Sequence, residues 1–230
     1  MELEYGSGEL EYLSRRDAAL RRVIAQVGHL RRQVDDDLFA SVVRHIIGQQ
    51  ISMRAQQTVW ERLVGALGEV SPQALAPASR SQLQGLGMSW RKADYILEFT
   101  QQVVAGGFDL DEVARLDDAA ALTALTALRG IGIWTAEMIL LFGLHRRDIL
   151  SFGDLAIQRG MRMVYRRRII TREEFERRRR RLSPCGSIAS LYYWAVAGGA
   201  LPELDDPARQ PGQAGTQERQ MKPGAPARSY

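Results

Sequence analysis

The sequence predicts an all-α protein, on three observations. Apolar residues recur three and four apart, no segment alternates apolar with polar residues as a half-buried strand would, and helix-capping residues precede nearly every apolar run. Asp17 caps a helix with Leu20, Val23, Ile24 and Val27 on one face, closed by Gly28. Asp35 to Asp37 precede a second, whose Leu38, Phe39, Val42, Val43, Ile46 and Ile47 form a broad apolar stripe. Ser52 caps a third, bearing Ala55, Val59, Trp60, Leu63 and Val64, and Ser71-Pro72 is a cap with proline at the first helical position. Ser89 begins a helix that Gly106-Gly107 ends; Asp117 or Asp118 begins the next. Thr135 to Leu144 is continuous helix, and two or three helices follow Asp154, the last containing Ile188 to Val196. Ten or so helices joined by short polar connections are expected.

At 230 residues and 45% hydrophobic content the chain can bury a core as one domain, or as two small lobes sharing a cleft. No apolar run reaches the roughly 18 residues of a membrane span. The acidic start (Glu2, Glu4, Glu9, Glu11) is unlike a signal or transit peptide. A soluble cytoplasmic monomer is expected, nucleoid-associated in a bacterium, with no membrane partner. One cysteine, Cys185, excludes an internal disulfide framework and a cluster held by four thiolates. The three histidines lack metal-ligand spacing, so neither a metal nor an organic cofactor is expected. From Pro207 onward the chain has seven Pro and Gly in 24 residues, a composition that predicts a disordered tail.

The net charge of +4 owes +3 to residues 207–230, so the body is barely basic. Residues 159–181, however, hold eleven Arg against three Glu. Arg177 to Arg181 read equally well as a solvated helix face with internal ion pairs. Arg159 and Arg162, close after Asp154 in sequence, are the better phosphate candidates.

The most informative stretch is Leu128-Arg129-Gly130-Ile131-Gly132-Ile133-Trp134-Thr135-Ala136-Glu137-Met138, followed by Asp154 in Ser151-Phe152-Gly153-Asp154-Leu155. Two glycines bracketing one apolar residue, then an uninterrupted helix-forming run, describe a tight hairpin that feeds backbone amides into a helix N-terminus, a seat for a phosphate. A helix from Trp134 to Leu144 is ~16 Å long. The nine residues from His145 to Gly153 can span roughly 30 Å, enough to bring Asp154 back to the hairpin mouth. Asp154 also reads as a helix N-cap, with Ser151 three residues before it matching a capping box, and a cap and a catalytic anion are compatible roles.

These motifs, with Ile46-Ile47-Gly48-Gln49-Gln50-Ile51-Ser52, Gly87-Met88-Ser89-Trp90-Arg91-Lys92-Ala93 and Ala189-Ser190-Leu191-Tyr192-Tyr193-Trp194, resemble the helix-hairpin-helix DNA glycosylase superfamily, and within it the 3-methyladenine DNA glycosylase II type. The resemblance implies one glycosylase fold over residues 1–206, with a cleft between two helical lobes: about 35–144, and about 1–34 with 145–206. It implies double-stranded DNA with damaged bases as partner and removal of the target nucleotide from the stack. The hairpin around Gly130, Gly132, Trp134 and Thr135 would hold a phosphate, with a monovalent cation at its carbonyls as in many relatives. Gln49, Gln50 and Ser52, and the loop at Met88 and Ser89 up to Trp90, match positions that fill the gap. Trp134, Met138 and Trp194 match positions lining the base pocket, and Asp154 matches the catalytic residue. Trp60 and Phe142 read as ordinary core.

In relatives that also cut the strand, the position matching Trp134 is a lysine that forms a Schiff base. Trp has no such nitrogen, and the chain has only Lys92 and Lys222. The resemblance therefore implies a monofunctional enzyme of base excision repair. In it Asp154 assists attack of water on the glycosidic bond of alkylated purines such as 3-methyladenine and 7-methylguanine. Such bases are cationic, weakly bonded to the sugar and attracted to electron-rich ring faces. The alternatives are a glycosylase for another damaged base, a hairpin module that only binds DNA, and a helix-turn-helix regulator, whose recognition helix is not identifiable.

Overall fold

The computed structural model describes residues 1–208; the rest of the expected disordered tail lies outside them. Among the described residues there are thirteen α-helices and no strand, only an isolated antiparallel bridge between Glu2 and Gln33. The helices are α1 (Ser7–Arg16), α2 (Ala18–Val27), α3 (Leu38–Gly48), α4 (Met53–Leu67), α5 (Pro72–Leu75), α6 (Arg80–Gly85), α7 (Trp90–Val104), α8 (Leu110–Arg115), α9 (Asp118–Ala127), α10 (Ile133–Phe142), α11 (Leu155–Tyr165), α12 (Arg172–Leu182) and α13 (Gly186–Ala197). The expected starts are set by the expected caps: side chains of Asp17, Asp37, Ser52, Ser71, Ser89 and Asp117 each accept an amide of the first turn. Three helices, α1, α6 and α8, are not among those expected: α6 and α8 have six residues, too few to show a period, and α1 buries only Leu13.

The apolar stripes assemble two main cores. One gathers Leu38 through Ile149, with α3, α7 and α10 at its centre around Phe39, Ile46, Ile96, Ala136 and Ile139. The other gathers Leu13 through Ile24 with Leu150 through Leu201, around Leu20, Ile157, Met161, Tyr192 and Tyr193. A small cluster of Leu3, Val34 and Leu191 lies against Phe142 and Trp194, where the two sets of helices meet. Among the described residues no helix is long and apolar enough to cross a membrane.

The second core depends on a close approach of α11 to α13. A Cβ at Gly160 would lie 2.1 Å from the backbone oxygen of Tyr193, and backbone there cannot swing aside as a side chain can. Gly160→Ala therefore forces the two helices apart, and since Asp154 precedes α11 the site moves with them. The expected loss is about 3 kcal/mol, at the upper end for overpacking, read as a lower urea midpoint with an unchanged slope. A midpoint within error of the parent would contradict this packing.

Candidate active site

The hairpin between α9 and α10 forms because two glycines do different work. Gly130 has φ +87, and a Cβ there would meet the Tyr95 ring at 2.2 Å, so both conformation and packing require glycine. Ile131 is buried and fixes the turn to the core. Gly132 is the N-cap of α10; its Cβ would meet nothing within 4 Å, and no side chain caps the helix. The first turn of α10 thus has no side-chain cap accepting its amides, which leaves them available as an anion seat requires.

Asp154 is the N-cap of α11 and is only 6% exposed. Its Oδ1 accepts the amides of Ala156 and Ile157 at 2.9 and 2.8 Å and the Trp194 Nε1–H at 3.2 Å, while Oδ2 accepts the Trp134 Nε1–H at 2.9 Å. One carboxylate thereby joins the hairpin helix, α11 and α13. The expected box partner Ser151 does otherwise: its hydroxyl donates to Glu137 on α10, tying the loop before Asp154 to the hairpin helix. Burial raises the Glu137 pKa, with the hydrogen bond from Ser151 opposing the shift.

The other sequence-selected residues divide. Gln49 Nε2 donates to Gly130 O at 2.8 Å, with Thr135 Oγ1 at 3.5 Å, and so braces the hairpin from α3 rather than filling a gap. Thr135 is buried, leaving its backbone amide as its contribution. Gln50 is exposed with φ +57, projecting from the turn after α3. Ser52 and Ser89 are exposed caps of α4 and α7. Met88 is 4% exposed and packs in the first core, which corrects its placement in a gap-filling loop. Met138 is buried behind Trp134. Phe142, read as ordinary core, is half-buried and stacks on Trp194 at 5.9 Å, so it belongs to this site. Trp60, read likewise, is half-buried against the first core, with the Arg44 guanidinium 4.3 Å over its ring.

The charged candidates also need correction. Arg162 is held by Asp206 through bonds of 2.9 and 2.6 Å and is not free for a phosphate. Arg159 is ion-paired at 3.9 Å with the same carboxylate, beyond hydrogen-bond distance, and its side chain is 45% exposed. In α12, Arg178 is committed to Glu174 and Asp17, while Arg177, Arg180 and Arg181 are exposed. Lys92 donates to the carbonyls of Ile47 and Gln49, both at 2.7 Å, closing the C-terminus of α3; burial lowers its pKa. No group of three His, Cys, Asp or Glu able to hold a metal occurs among the described residues.

Sequence reasoning missed one pattern. Met53, Trp90, Ile133 and Leu155 are exposed, 77, 45, 65 and 84% respectively, and each is the first residue of its helix. The bonds from Gln49 to the hairpin, from Lys92 to the end of α3 and from Trp134 to Asp154 link the chain segments from which those four helices start. A large apolar residue directly after a cap was the available signal, because the first helical position precedes the buried stripe.

The family model for HhH-GPD superfamily base excision DNA repair proteins matches residues 43–185. YfjP of Bacillus subtilis is 27% identical over 177 residues, which are 70% of this chain and 59% of that protein; the chain thus spans less than two-thirds of its length. DNA-3-methyladenine glycosylase 1 of Schizosaccharomyces pombe is 27% identical over 194 residues, 81% of this chain and 85% of that one. The crystal structure of a DNA-3-methyladenine glycosidase from Bacillus halodurans superimposes with a TM-score of 0.77 at 29% identity, covering 89% of this chain and 95% of that one.

The Glu137 contact has a measurable signature. Its pKa is raised in the folded protein, so the native state holds this proton more tightly than the unfolded chain does. The resulting stability is present below the ordinary value of 4.5 and is lost as pH rises through the folded value. Between about pH 4 and about pH 7 the parent should lose stability relative to Glu137→Gln, which cannot ionise. A difference in melting temperature that stays flat over that range would refute the assignment.

Proposed function

The chain belongs to the HhH-GPD superfamily of base excision DNA repair proteins, and from that premise we propose that it is a monofunctional DNA glycosylase of the 3-methyladenine type II class, hydrolysing the N-glycosidic bond of alkylated purines in duplex DNA. The observation that carries this reading is the placement of the Asp154 carboxylate between two indole N–H groups, beside an uncapped helix N-terminus. The similar proteins are named as 3-methyladenine glycosylases, which supports the coarser reading of a DNA glycosylase.

In this mechanism the hairpin amides bind a backbone phosphate next to the lesion. The exposed apolar residues of the four helix starts lie against the minor-groove side of the opened duplex, and Gln50 projects into the space left by the extruded nucleotide. Helix N-termini supply positive potential without side-chain cations, which accounts for a barely basic body engaging a polyanion. A monovalent cation would be held by hairpin carbonyls, for which Leu128 and Gly130 are candidates. Each already accepts one protein N–H, at 3.1 and 2.8 Å, and keeps a second lone pair, so an ion there would add charge beside the phosphate.

Asp154 acts on the sugar. Oδ1 is saturated by three donors, whereas Oδ2 holds only the Trp134 indole. Displacing that indole exposes Oδ2 to stabilise the oxocarbenium-like sugar and to orient or deprotonate the attacking water, while an alkylated purine leaves as a neutral base. The indole freed from Oδ2 offers its face to the cationic base. Trp134 offers no amine, and the Lys92 amine is committed to two carbonyls, so hydrolysis proceeds without a lysine-bound intermediate.

Purified protein incubated with duplexes carrying 3-methyladenine or 7-methylguanine should release the free base and leave an unbroken abasic strand. Asp154→Asn keeps the helix cap and should melt within a few degrees of the parent, while base release falls by about 100-fold or more. Full retention of activity would remove Asp154 from the chemistry. Borohydride should trap no covalent protein–DNA adduct, and an adduct would overturn the monofunctional assignment.

A further inference from the structure

The loop that carries Asp154 is held by the hairpin helix at two points. Trp134 and Glu137 stand three apart on α10 and share one face. Trp134 donates its indole N–H to Asp154 Oδ2 at 2.9 Å, and Glu137 accepts the hydroxyl of Ser151, a fully buried residue three positions before Asp154. Gly153 lies against both, since a Cβ there would stand 3.8 Å from the Trp134 Cβ and from Ser151 Oγ. Among the described residues, every other hydrogen bond of residues 149–154 runs to helices of the second core. Ile149 bonds to Ser187 and Ser190 of α13 at 3.0 and 2.9 Å, and Phe152 O accepts Gln158 Nε2 of α11 at 2.8 Å. The Phe152 ring meets Phe175 of α12 edge-on at 5.1 Å. Half-buried Glu137 forms no ion pair among the described residues; Arg172 and Arg179 of α12, whose charges act on it, pair with Glu176 at 3.0 and 4.0 Å.

We propose that Glu137 is a positioning residue for the glycosidic step, which through Ser151 holds the Asp154 loop against α10 once the Trp134 indole has left Oδ2. The inference rests on the glycosylase reading and adds to it a second carboxyl group that never touches the substrate. The sugar is placed by the phosphate seat at the start of α10, whereas Asp154 is placed by its bonds to α11 and α13. Two sets of helices therefore set the distance from Oδ2 to the developing cation. In the resting structure Trp134 spans them, but the proposed chemistry breaks that bond. Of the two hydrogen bonds between the loop and α10, the one from Ser151 to Glu137 then remains. Attraction between the carboxylate and the cationic sugar falls with distance, and a reacting group displaced by about 1 Å loses tenfold or more.

The test reads the fit to a cationic sugar apart from the grip on DNA. One duplex carries a pyrrolidine nucleotide, whose protonated ring nitrogen imitates the oxocarbenium-like sugar, and another carries the neutral tetrahydrofuran nucleotide of similar shape. Both are titrated with the parent protein, Glu137→Ala, Ser151→Ala, the double variant and Glu137→Gln. The parent should prefer the cationic sugar. Glu137→Ala and Ser151→Ala should each lower that preference about tenfold while binding of the tetrahydrofuran duplex stays within about twofold. The double variant should lose no more than either single one, and Glu137→Gln, which keeps an acceptor for Ser151, should stay within about threefold of the parent. Ser151→Ala removes one hydroxyl and carries the comparison if Glu137→Ala does not fold. No preference in the parent, an unchanged preference in Ser151→Ala, additive losses in the double variant, a Gln variant as weak as the Ala one, or equal weakening on both duplexes overturns the proposal. Base release from an alkylated duplex is scored separately. Its absence would refute the glycosylase reading while the preference for the cationic sugar still decides the role of Glu137.

Discussion

The architecture of the site depends on one carboxylate. Asp154 caps α11, accepts an indole from the hairpin helix and another from α13, and is nearly shielded from solvent while doing so. These bonds fix the spacing between the hairpin and the second core, because both tryptophans are anchored in helices that pack elsewhere. The same bonds commit Oδ1 to three donors and leave Oδ2 with one, which separates a saturated oxygen from one that can still accept. A buried acceptor of this kind is stable only when its donors are in place, so the proposed chemistry and the fold share the same contacts.

Around that carboxylate, polar side chains act mainly as braces. Gln49 holds the hairpin from α3, Lys92 closes the end of α3, and Ser151 links the Asp154 loop to Glu137. Each satisfies a backbone or carboxylate acceptor that the tight turns would otherwise leave unpaired. What remains for a ligand is backbone amides, a rim of apolar residues at helix starts, and solvated arginines such as Arg159. In the proposed function, a surface of this composition would grip a duplex by shape and local dipoles more than by net charge.

Most of the helices were legible from cap and period, because a capped apolar stripe specifies its own start and its buried face. The short α6 and α8 were not, since a helix of six residues is held by packing rather than by pattern. The hairpin and Asp154 were legible because Gly130 and an N-cap are local requirements of the chain. Met88 and Phe142 were misread for the complementary reason: an apolar residue near a motif carries no mark of whether it turns toward the core or the cleft.

By itself, the sequence determined the all-α class, the hairpin with its open helix terminus, the cap at Asp154 and the lack of a hairpin lysine, all of which follow from residue type and near-neighbour spacing. Only the tertiary structure decided that two tryptophans sixty residues apart close on one carboxylate, that Arg162 is spent on Asp206 while Arg159 meets it only at 3.9 Å, and that Arg32 stands over the Phe142 ring. Those facts depend on how separate helices pack, and packing is settled by the summed complementarity of many buried side chains rather than by any local signal.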